Sequence, residues 1–126
     1  MKYFIMPAAV LALLFGLSLE NARLIRTDTA SWLAAMDEVT ASAEREDWNA
    51  ALDALRGTHT SWDERKPWLH IVTAHDELEA ADALFAATES FATEQDMAEF
   101  RAGVAQLAAQ LAVVSQMQQL TLRNVL

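Results

Sequence analysis

An uncharged run from Tyr3 to Leu19 opens the chain behind Met1-Lys2, and Glu20 closes it. No polar stripe interrupts the run, so it has no face suited to water and reads as a membrane-targeting helix rather than a core helix. At about 1.5 Å per residue it is roughly 25 Å long, at the short end of the ~17–25 residues a span requires. The reading is a transmembrane or signal-anchor helix over residues 1–20. The alternative is a cleaved signal peptide, with Gly16 and Ser18 as the small residues before the cut. Pro7 sits in the first two turns, where few backbone bonds are lost. Lys2 on one side and Arg23 and Arg26 on the other leave orientation balanced; the amino terminus is read as inside and residues 21–126 as extracytoplasmic.

Beyond the run the pattern becomes amphipathic. From Asn21 to Glu44 there is no Gly or Pro, and Leu24, Trp32, Met36 and Val39 recur at helical spacing, so the first helix is expected to continue outward as one rod. A break is expected at Glu46-Asp47, with Asp47 capping a helix that starts at Trp48 and carries Leu52, Leu55, His59 and Trp62 on one face. Gly57 weakens that helix without ending it. Pro67 is read as the start of a third helix near Trp68, because proline restricts the residue before it and suits a first helical position. Trp68, Ile71, Val72, His75, Leu78, Leu84, Phe85 and Phe91 would then share its apolar face. The last helix starts between Thr93 and Asp96, with Asp96 and Glu99 spaced as a capping box. Met97, Phe100, Val104, Leu107, Leu111 and Val114 form its seam.

Ala102 to Leu122 is also uncharged, but Gln106, Gln110, Gln116, Gln118 and Gln119 would place five amides in hydrocarbon, so it is not read as a second span. Most of these glutamines are expected to lie opposite the seam, as a polar, uncharged face toward water or a protein. The fold class is therefore all-α: an N-terminal membrane helix, then an antiparallel three- or four-helix bundle. No repeat is legible; Trp48-x-x-Ala51 looks like part of a helical-hairpin repeat but has no second copy.

Composition narrows the chemistry. The chain has 126 residues, one domain's worth, and carries 9 basic against 18 acidic residues, a balance that argues against nucleic-acid binding. Without Cys there is no disulfide, thiolate nucleophile or lipidated cysteine. No phosphate loop, serine elbow or HExxH zinc motif is present, and carboxylate pairs such as Glu44/Asp47 and Asp76/Glu79 read as solvated charge. The protein is read as non-enzymatic and without a cofactor.

The candidate residues are histidine and tryptophan. His75 is expected on the apolar face with Glu79 four residues on as its hydrogen-bond partner, a buried core histidine in the simplest reading and a pH-responsive or metal-contacting one otherwise. On one helix His70 and His75 would differ by about 140° and could not share an ion. A site joining His59 and His75 across two helices would need carboxylates from elsewhere. Trp32, Trp48, Trp62 and Trp68 are expected to pack in the bundle, with a protein interface as the alternative, or bilayer contact for Trp32.

The order Trp48-x-x-Ala51, Trp62, Trp68, His75 with Glu77-Leu78, a closing amphipathic helix and a terminal Asn124-Val125-Leu126, all behind an apolar segment, resembles the family of domain of unknown function 4363. The likeness covers the apolar segment and residues 43–126. It departs late in the last helix, where relatives carry charges and this chain has Gln116, Gln118 and Gln119. The resemblance implies a short bacterial membrane-anchored helical protein and no established activity. Trp48, Trp62, Trp68, His75, Glu79 and Asn124 are the candidate structural or interaction residues. The expected partners are a lipid bilayer and an envelope protein. A bundle binding a small ligand or metal around His75, secreted or periplasmic after cleavage, is the second reading.

Overall fold

The computed structural model describes residues 2–125, with the side chains at 2, 4, 18, 21, 22, 24–26, 71, 72 and 121–125 outside that description. Four helices follow one another: α1 Lys2–Glu44, α2 Trp48–Val72, α3 His75–Thr93 and α4 Met97–Val125. The described residues contain no strand, and among them no helix is long and apolar enough to cross a membrane. The protein is an all-α four-helix bundle, each helix packed chiefly on the two beside it.

α1 is the single rod that its periodicity predicts. In its first half the described apolar side chains, Tyr3, Ile5, Met6, Val10, Leu11 and those on to Leu19, are exposed, and among the described side chains burial begins at Thr29, Trp32, Met36 and Val39. Leu24 lies among the undescribed side chains. The helix ends where expected, with Glu46 at φ 61°. Its N–H bonds the Ala43 carbonyl at 2.9 Å and the Asp47 N–H bonds that of Ser42 at 3.0 Å, a closure that satisfies the last carbonyls. Asp47 then caps α2 by accepting from the Ala50 N–H.

The α3–α4 connection repeats this geometry. Gln95 has φ 57°, its N–H reaches Ala92, the Asp96 N–H reaches Phe91, and Asp96 accepts from the Glu99 N–H. The offset that carries Glu46 onto Gln95 carries the core with it: Trp32 onto Ala81, Met36 onto Phe85, Val39 onto Thr88, Ala43 onto Ala92, Ala51 onto Phe100, Leu55 onto Val104, Trp62 onto Leu111 and Leu69 onto Gln118, all buried. The two helical hairpins of the bundle thus share a burial pattern. Burial recurs while residue identity does not: Trp48-x-x-Ala51 is matched by Met97-x-x-Phe100.

Pro67 does not start a helix; it lies inside α2. Proline removes one helical donor, yet Trp62 and Leu69 are fully buried on either side of it, and their packing outweighs the lost bond. The break falls instead at Thr73-Ala74. Thr73 is extended, φ −123° and ψ 143°, with its N–H on the Leu69 carbonyl and its hydroxyl accepting from Gln118 Nε2 at 3.2 Å. Ala74 begins α3 with no side-chain cap, and Asp76 and Glu77 in the first turn favour the positive end of the helix dipole.

α4 presents its predicted seam, with Phe100, Val104, Leu107, Leu111 and Val114 buried. Gly103 permits the closest approach of α3: a Cβ there would meet Thr88 Oγ1 at 2.7 Å. Gly103→Ala should therefore destabilise by about 1–3 kcal/mol through overpacking, against the ~1 kcal/mol that alanine normally adds to a helix. Thermal unfolding tests this, and Thr88→Ala in the same chain should recover the loss.

Candidate functional site

The densest polar constellation lies along the α2–α3 seam. His59, Asp63 and Lys66 stand at i, i+4 and i+7 on α2, opposite Asp82, Phe85 and Glu89 at matching spacing on α3. The Trp62 indole N–H donates to Asp82 Oδ1 at 2.8 Å and the Lys66 ammonium to Asp82 Oδ2 at 2.8 Å, so both carboxylate oxygens are engaged. Lys66 also lies 3.6 Å from Asp63. His59 stacks on Phe85 with centroids 4.5 Å apart, its Nδ1 is 3.0 Å from Glu89 and its Nε2 3.8 Å from Asp63.

His59, Asp63 and Asp82 bring ligand atoms within 4.8 Å of one another, a separation that suits a metal ion. Lys66 already supplies a positive charge to both carboxylates, and a metal would have to displace it. The cluster therefore reads as a hydrogen-bonded strut between two helices, with Lys66 between Asp63 and Asp82 and His59 on Glu89.

The hydrogen bond to Asp82, opposed in part by desolvation, raises the Lys66 pKa above its ordinary 10.5. A raised folded value means that the stabilisation is complete below pH 10.5 and is lost as pH rises through the folded value. The other lysine and the one tyrosine, Lys2 and Tyr3, precede the bundle. Unfolding midpoints should hold steady up to about pH 10 and fall above it, and Lys66→Met should remove most of that fall.

His75 is not a core histidine. It opens α3 at the end of the bundle, its side chain 66% exposed, with Nε2 on Glu79 Oε1 at 2.8 Å. The expected Glu79 partner is present; the apolar environment is not, because the break at 73–74 turns this residue out of the face that Ile71 and Val72 were expected to share. Those two side chains lie outside the description. The same break places His70 and His75 on different helices, and their rings stack with centroids 5.3 Å apart. His59 sits mid-bundle with partners of its own, so a shared His59/His75 site is not formed.

The tryptophans separate by depth. Trp62 and Trp32 are buried edge to face, centroids 5.4 Å apart, and the Trp32 indole donates to Ser61 Oγ at 2.9 Å. Trp32 is thus a core residue, not a bilayer contact. Trp48 is half-buried, edge-on to Phe100 at 5.3 Å. Trp68 is 55% exposed. Trp48, Trp62, Trp68, His75 and Glu79 therefore do not line a common pocket, and Asn124 lies outside the described side chains. Nor do the glutamines share one outer face. Gln118 is buried on Thr73 and Gln110 bonds Glu77, leaving Gln106, Gln116 and Gln119 exposed.

An open groove runs between α1 and α4, with Met36 and Val104 in its floor, Leu33, Ala105 and Ala108 along it, and Glu44 and Arg101 paired at 3.4 Å near its upper end. Sequence periodicity could not reveal it, since it depends on which two helices become neighbours.

No curated protein and no solved structure matches the chain. A family profile described as a domain of unknown function, DUF4363, matches residues 21–125, the bundle together with the stretch of α1 that leads into it. The protein belongs to the DUF4363 family.

Proposed function

We propose that the protein is a non-enzymatic, membrane-tethered interaction protein of the bacterial cell envelope. In this reading the Tyr3–Leu19 segment sits in the bilayer and the bundle stands outside the cytoplasm. The observation that carries it is the continuity of α1: one helix holds both an apolar segment whose described large side chains are exposed and the core residues Trp32, Met36 and Val39. Large apolar side chains in that segment run from 89% exposed at Tyr3 to 48% at Leu19, an apolar surface too large to be left in water. A segment of roughly 25 Å is shorter than the ~30 Å hydrocarbon core, a mismatch met by local thinning of the bilayer.

A helix without a linker fixes the bundle relative to the membrane. The connections at 45–47 and 94–96 then stand about 35 Å above the end of the apolar run, with the α1–α4 groove opening sideways below them. The groove, apolar in its floor and rimmed by small and charged residues, suits an apolar side chain of a partner helix.

In-cell crosslinking of a tagged full-length chain tests the reading. A heteromeric product that Ala105→Arg removes is expected. Monomer alone, under conditions that capture established envelope complexes, would contradict the interaction role.

A further inference from the structure

Trp68 is the one tryptophan with most of its surface in solvent, although two of the other three are buried and the third is half-buried. Its height in the bundle follows from cross-helix contacts. Arg65 Nε meets Asp28 Oδ2 at 2.6 Å, and Trp32 bonds Ser61, so α2 descends beside α1 in antiparallel register. Trp68 lies three residues below Arg65, level with residue 25 of α1, and hence about 9 Å above Leu19, the last residue of the apolar run.

A second exposed apolar side chain falls at the same end. Leu120 is 56% exposed, two residues below the Gln118 that bonds Thr73 at the α2–α3 turn. Val113 is the other large exposed apolar residue described in the bundle, so two of the three lie toward the end that faces the apolar segment. Pro67, also exposed, extends the rim beside Trp68.

We infer that this end of the bundle rests on the lipid headgroup layer, with Trp68 and Leu120 as its contacts. The inference rests on the tethered reading above and adds the face on which the bundle sits. An indole suits that layer, since its ring prefers the acyl boundary and its N–H the hydrated headgroups. A bundle seated in this way is held upright by three points: the α1 segment, Trp68 on α2 and Leu120 on α4.

The test is fluorescence quenching of the full-length protein reconstituted in phosphatidylcholine vesicles that carry bromine at shallow acyl positions. Flotation of the vesicles verifies attachment first. Of the four tryptophans, only Trp68 should lie within reach of the bromine, so about a quarter of the emission should be quenched. Trp68→Phe should remove this quenching, while Trp48→Phe, at the far end, should leave it intact. Equal quenching in Trp68→Phe and the parent, or none in protein that floats, would overturn the seated bundle and leave the tether standing. Protein that does not float would overturn both. Trp68→Phe changes an exposed side chain, and an unchanged far-ultraviolet circular dichroism spectrum confirms that it folds.

Discussion

Replacing Trp62 by Ala is expected to cost about 3–5 kcal/mol, the range for deleting a large aromatic from a packed core. Trp62 has no exposed surface, meets Trp32 edge to face, lies 6.2 Å from Phe85 and donates its indole N–H to Asp82. The side chain therefore joins α1, α2 and α3, and no single neighbour can collapse into the space it leaves. Against a total stability of ~5–15 kcal/mol such a loss is large enough to leave part of the population unfolded. Urea denaturation checks this through a lower midpoint at an unchanged slope. Trp62→Phe is the milder change: it keeps one aromatic ring, removes the bond to Asp82, which retains Lys66, and leaves a smaller cavity. Its cost should be about 1–3 kcal/mol, below that of Trp62→Ala.

Pairing Leu11→Arg with Leu14→Arg should have the opposite profile, releasing the protein from membranes while leaving the bundle's stability unchanged. Both side chains are exposed, at 67% and 55%, and neither touches the core. The apolar run holds nine Leu, Ile, Phe and Val residues. At ~0.3–0.6 kcal/mol each they favour insertion by about 3–5 kcal/mol, whereas two central arginines oppose it by about 5–7 kcal/mol. The balance changes sign. Membrane flotation reads the first effect and thermal unfolding of the variant in detergent the second. Retention of the double-arginine chain would mean that something other than the apolar run holds the protein at the membrane.

The helices were legible where local chemistry and burial agree. Asp47 and Asp96 each cap a helix while closing the one before it, so the sequence marks both ends at once. The α4 seam is visible because its apolar positions recur at regular spacing and all face the core. Pro67 misled because its local preference is strong, while the packing of Trp62 and Leu69 that overrides it comes from other helices. The true break at Thr73-Ala74 has no capping residue to announce it; Thr73 is held extended by Gln118, which is 45 residues away. A break at Pro67, two turns before the true one, would put His75 on an apolar face and Lys66 outside helical geometry, away from the Asp82 it bonds. The shared burial pattern of the two hairpins is not legible in the sequence, because Trp32 answers to Ala81 and Leu69 to Gln118, pairs alike in burial and unlike in kind.

The central claim is that α1 carries the bundle on a membrane through an uncleaved apolar segment. Carbonate extraction of cells expressing the C-terminally tagged chain, combined with protease accessibility from outside and the intact mass, tests it most directly. The account predicts a full-length chain that stays with the membrane and loses its tag to external protease. A shortened, soluble chain, cut near Ser18, would contradict it.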